Sequence, residues 1–120
     1  MNAMLKAQML ATALDVYFSD PALGGNKIGA PVPIGGVSID LTKVCSMIDS
    51  SNGTGTCSGT YLDARSAFGL VPPATGATVS YLLSYAASQS NVGGTTWYLN
   101  VKSTQQLAKN AFDAINNQAI

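Results

Sequence analysis

Few side chains in this chain can do chemistry, and their spacing narrows the choice further. There is no histidine and no glutamate, so the usual proton-transfer groups are absent. What remains is Cys45 and Cys57, the aspartates at 15, 20, 40, 49, 63 and 113, five tyrosines, and a few cations. The cysteines bracket a Gly/Ser/Thr-rich loop, which closes easily. In an oxidising compartment a disulfide there stabilises the fold by roughly 3 kcal/mol. Free buried thiols are the alternative. A redox pair would use a CxxC spacing, and a zinc site would need two further His or Cys ligands that the chain lacks. No metal ligands and no cofactor are therefore expected.

The aspartates are spread along the chain, five or more residues apart, and each reads locally as a cap, a turn or a helix surface. Carboxylate pairing for hydrolysis would have to arise in space. The GxSxG nucleophile motif is absent, which leaves a serine–lysine dyad without support. Asp49 to Thr56 superficially resembles a calcium loop. It fails the EF-hand pattern, because Ser51, Gly53 and Thr60 stand at the third, fifth and twelfth positions. Asn52-Gly53-Thr54 fits a glycosylation triplet, which marks an exposed tip. The aromatics are the better binding candidates. Trp97, Tyr98 and Asn100 lie in a polar stretch with Asn91, Thr95 and Thr96, a composition suited to a sugar or peptide. The plainer reading has Trp97 plugging the core, with Tyr81 and Tyr85 half-buried.

The bulk composition bounds the object that must position these groups. With 120 residues, 47% hydrophobic, the chain makes one domain with a real core. Formal net charge is zero and there is no basic run, which disfavours nucleic acid. The apolar stretch over 4–18 is broken by Lys6, Gln8, Thr12 and Asp15, too short for a membrane span. It also lacks a small-residue cleavage site, so it reads as a helix of the fold rather than a signal peptide. A surface built from Ser, Thr, Asn, Gln and Gly suits a secreted or cell-surface protein. Any signal peptide would then lie upstream, with 1–120 a domain of a larger protein.

The elements follow from periodicity. Residues 3–18 carry Leu5, Met9, Thr12 and Val16 on one stripe and Leu10, Leu14 and Phe18 on the next, a wide helical arc. Leu10 and Leu14 are expected to be buried. Pro21 follows the helix. Residues 20–36 form a Gly/Pro-rich connection tied down by Ile28, Val32 and Ile34. Val37-Ser38-Ile39 alternates as a short strand, and Asp40 should cap a short helix over 40–48. Residues 49–60 are a flexible tip, and Tyr61 to Phe68 one or two helical turns ended by Gly69. Thr78 caps a helix to residue 91 with Val79, Leu82, Leu83 and Ala86 inward. Ser103 and Gln106 read as a capping box opening the last helix, to 117, with Leu107, Ala108, Ala111, Phe112 and Ile115 buried.

The phrases LKAQMLATALDVYFSDPALGGNKIGAPVPIGGVSIDLTKVC, LLSYAASQSNVGG and STQQLAKNAFDAINNQ together resemble a domain near the C-termini of large secreted bacterial surface proteins. Those proteins carry immunoglobulin-like or collagen-adhesin B-type repeats. The likeness covers most of residues 5–118. It implies a surface location, an adhesive or spacer role, and other domains of the parent protein as partners. It supplies no catalytic residues.

The expectation is therefore a mostly α, single-core domain. Three main helices, near 3–18, 78–91 and 103–117, are joined by a long Gly/Pro-rich loop, with a short β-hairpin among residues 28–39. The expected function is a non-catalytic extracellular structural or interaction module. A glycan- or peptide-binding module and an aspartate-dependent hydrolase are the alternatives.

Overall fold

A computed structural model describes residues 2–23, 25–26, 33–49, 56–90 and 97–116. Among these, three α-helices and six short strands form a mostly α fold: α1 (Asn2–Ser19), β1 (Ser38–Asp40), β2 (Val44–Cys45), β3 (Ile48–Asp49), β4 (Thr56–Cys57), β5 (Tyr61–Leu62), β6 (Gly76–Thr78), α2 (Val79–Ser88) and α3 (Lys102–Asn116). Short 3-10 turns cover Ile34–Gly36, Arg65–Phe68 and Tyr98–Asn100.

The core gathers Leu5 of α1, Ile39, Leu41, Val44, Phe68, Val79, Leu82, Ala86, Ala108, Ala111 and Phe112. Helix α3 lies at its centre and packs most extensively on α1. Phe68 and Phe112 meet edge to face, 5.7 Å between ring centres. Helix α2 starts as its sequence requires: Thr78 Oγ1 accepts from the Tyr81 N–H at 3.2 Å. Val79, Leu82 and Ala86 are buried beneath it, and Leu83 is half-buried. The turn over Arg65–Phe68 ends at Gly69 with φ +68°, a left-handed stop that glycine adopts without strain.

Helix α1 corrects one expectation. Leu5 is fully buried, whereas Leu10 is 62% and Leu14 45% exposed. The stripe turned inward is Leu5, Met9, Thr12, Val16 and Ser19. Polar groups decide the rotation. Thr12 Oγ1 donates to Asn116 Oδ1 at 3.0 Å, and Asn116 Nδ2 donates to Gln8 Oε1 at 2.7 Å. Ser19 Oγ accepts from the Ile34 N–H at 2.9 Å, pinning the incoming loop. Once the polar residues are satisfied inside, the second apolar stripe is left outside. Ile34 is half-buried, and Ile28 and Val32 lie outside the described residues.

The short helix expected over 40–48 is not formed. Val44 and Cys45 pair antiparallel with Leu62 and Tyr61, and Ile48 and Asp49 with Cys57 and Thr56. The register changes by one residue between the two ladders. Gly59 N–H and Ser58 N–H both reach Met47 O, at 3.3 and 2.9 Å, so the ribbon carries a bulge there. Val44 and Cys45 are buried, and β pairing satisfies their backbone while Asp40 serves a turn instead of a helix. β1 pairs with β6, Ser38 opposite Thr78, rather than within a hairpin over 28–39, whose first part lies outside the described residues. Most of the expected flexible tip, residues 50–55, also lies outside them. Helix α3 begins at Lys102, so Ser103 sits inside its first turn and not at the cap. The Gln105 N–H bonds Val101 O at 3.0 Å, and its side-chain Nε2 donates to Trp97 O at 2.8 Å, fixing the entry to the helix.

Candidate functional site

Three surface features could carry function: a small cleft behind the β ribbon, the turn after Trp97, and the outer face of α1. The cleft, about 290 Å³, is lined by Asp63, Arg65, Ser66, Leu70 and Pro72. Asp63 leaves β5 and opens the next turn by accepting the Arg65 N–H at 3.0 Å. The Arg65 side chain folds back on it, Nε at 3.0 Å from both oxygens and Nη2 at 2.7 Å, while Nη1 donates to Ala74 O at 3.1 Å. The guanidinium thus buckles the cis Pro72-Pro73 segment onto the ribbon. Asp40 is nearby, its Oδ1 accepting from the Thr42 N–H at 2.9 Å and Oγ1 at 2.6 Å.

The electrostatics follow from these bonds. Arg65 hydrogen bonds hold Asp63 below the usual carboxylate range, and Thr42 hydrogen bonds, helped by the charges of Lys43 and Arg65, do the same for Asp40. Both stay ionised at neutral pH. A general acid needs the opposite shift. Partial burial raises Asp15, which lies on α1 and not in the cleft. Ser66 faces the cleft without an imidazole, since the chain has none. The cleft can receive a polar group against an ion pair, but it does not pair an acid with a base. Among the described residues no three His, Cys or Asp side chains gather into a metal site.

The residues expected to bind a ligand divide. Trp97 is half-buried and packs against the edge of the core, short of the full plug of the plainer reading. Tyr98 is 6% exposed, so its ring is core and not a surface anchor. Burial, with the neighbouring Tyr85, pushes its phenol well above the ordinary tyrosine value, and among the described residues its hydroxyl finds no hydrogen-bond partner. The Tyr98 N–H does donate to Gln89 O at 3.0 Å. Asn100 is exposed, and so is Leu99, at 86%. Tyr98, Leu99 and Asn100 all have positive φ, 52°, 53° and 60°, which turns Leu99 out while its neighbour points in. Asn91, Thr95 and Thr96 lie outside the described residues. Tyr85 is half-buried, and Tyr81 is exposed with its hydroxyl donating to Phe68 O at 3.1 Å.

The cysteines do meet. Cys45 and Cys57 form a disulfide, Cα–Cα 5.7 Å, that ties β2 to β4 across the bulge. Sequence reasoning missed the outer face of α1. Ala3, Ala7, Leu10, Leu14 and Tyr17 form one exposed or half-exposed row with alternating spacings of four and three, free of charge along its length. That spacing was available in the sequence, but the inward stripe masked it. No helix among the described residues is long and apolar enough to cross a membrane. Comparison with known protein families, curated proteins and solved structures finds no match to this chain.

Proposed function

We propose that this chain is a non-catalytic structural and interaction module of a secreted bacterial surface protein. The observation that carries the reading is the outer row of α1. Thr12 and Ser19 are buried and bonded on the inner side of α1, and its outer side carries the exposed uncharged row Ala3, Ala7, Leu10, Leu14 and Tyr17, flanked by Lys6. A continuous exposed row of this kind, apolar at Leu10, Leu14 and Tyr17, is a surface suited to being covered by a partner. The disulfide suits an oxidising, extracellular setting, and the chain's resemblance to domains of bacterial surface proteins suits the same place.

The cleft supports the non-catalytic part, because both carboxylates near Arg65 are held ionised. Glycosidase and peptidase panels run on the purified protein should give no turnover. Turnover that disappears in Asp63→Asn would instead establish the hydrolase alternative. Glycan recognition through Trp97 and Asn100 is the second reading, favoured only by the outward turn at Leu99 and Asn100. A glycan array read beside tryptophan quenching separates it: binding that shields Trp97 would promote it.

A further inference from the structure

We propose that the outer face of α1 pairs with the same face of a second copy, as an antiparallel two-fold dimer. The inference rests on the interaction reading above and names the partner of that surface. Ala3, Ala7, Leu10, Leu14 and Tyr17 follow the four-then-three spacing of a helix–helix seam. The seam is graded, small at its N-terminal end and large at its C-terminal end. Only an antiparallel mate matches that gradient. With a two-fold axis level with Thr12, Ala7 faces Tyr17 of the partner subunit, and Leu10 faces Leu14 of the partner subunit. Symmetry repeats both layers.

The flanks agree. On one side of the seam lie Lys6, Ala13 and, one residue past the end of α1, Asp20, whose Oδ1 accepts the Ala22 N–H and whose Oδ2 is the oxygen offered across the seam; on the other lie Met4, Ala11 and Phe18. The same axis brings exposed Lys6 level with Asp20 of the partner subunit, and Asp20 with the partner's Lys6. Ala13 approaches the partner's Ala13. Met4, itself exposed, approaches the partner's Phe18. Flanking charges of this kind select orientation in paired helices. A parallel pair would set Tyr17 on Tyr17 and Ala3 on Ala3, splaying one end, and would put Lys6 beside alanine. A basic membrane-binding face is not an option here, since Lys6 is the single cation on α1.

One 18-residue helix, about 27 Å long, makes a small interface, so the dissociation constant is expected on the order of 100 µM. Sedimentation equilibrium of the full chain from 10 µM to 1 mM is the test. The expected result is a rise from 12.3 kDa toward twice that mass. Leu14→Glu should weaken association at least tenfold while leaving helix content unchanged, because Leu14 is not in the core. Lys6→Asp should weaken it, and adding Asp20→Lys should restore it. Under mild oxidation Ala13→Cys should cross-link the dimer and Ala3→Cys should not. A monomer at 1 mM, a dimer indifferent to Leu14→Glu, or cross-linking through Ala3→Cys instead would each overturn the proposal. A monomer leaves the non-catalytic reading intact, whereas turnover removes that reading and leaves the dimer standing.

Discussion

Leu5→Ala and Leu14→Ala, made separately, test which side of α1 faces inward. Leu5 is fully buried, so truncation removes its transfer energy and leaves a cavity, costing about 2.7–5 kcal/mol. Leu14 keeps 45% of its surface in solvent. Full burial of a leucine contributes about 1.5–3 kcal/mol, so its half-burial contributes roughly 1. Alanine's better helix propensity offsets part of that. For a chain of this size 1 kcal/mol moves Tm by about 3–5 °C. Leu5→Ala should therefore lower Tm by about 10 °C or more, and Leu14→Ala by less than about 5 °C. Thermal unfolding and urea unfolding followed by circular dichroism, at a few micromolar to keep the chain monomeric, give Tm and the free energy for both variants. If Leu14→Ala proves the more damaging, α1 is rotated and the seam argued above does not exist.

The remaining predictions concern single sites. Gly76→Ala would drive a Cβ into the Ile39 backbone carbonyl, opening the β1–β6 pair at a cost on the order of 3 kcal/mol, read in the same urea titration. Tyr98→Phe removes a buried hydroxyl without a partner and should raise stability by about 1 kcal/mol. Because folding raises the Tyr98 pKa, wild type loses stability as pH climbs above the ordinary tyrosine value, and Tyr98→Phe should lose less. The sign is opposite for Asp63. Its pKa is lowered by folding, so its contribution is complete above the ordinary carboxylate range and fades as pH falls through the lowered value. Asp63→Asn should flatten the acid limb of a Tm-against-pH curve, and an unchanged limb would show that the Arg65 contact has no energetic weight.

What could be read from the sequence was what local spacing encodes. The three helices follow from apolar periodicity, and the Thr78 cap from a side chain three residues from its donor. The cysteine pair was legible because a loop of that length closes easily. What failed was decided at long range. Val44 and Ile48 carry helical spacing, yet their backbone is satisfied by partners at 62 and 57. Leu10 and Leu14 look like core, but Asn116, far along the chain, draws the Thr12 face inward. Tyr98 looked like a surface anchor, and the left-handed backbone that buries it leaves no mark in composition. The Arg65 clasp on Asp63 and Ala74 closes a loop that residue types alone do not foretell.

Helix α1 presents its row of Leu10, Leu14 and Tyr17 outward, open to a second copy. Relaxation of leucine methyl groups by a soluble nitroxide, recorded at 20 µM and again at 1 mM protein, measures this directly. Leu10 and Leu14 methyls should broaden strongly at low concentration while Leu5 stays protected. At high concentration the Leu10 and Leu14 broadening should fall as the second copy covers them. Protected Leu14 methyls at both concentrations, with Leu5 broadened, would contradict the account.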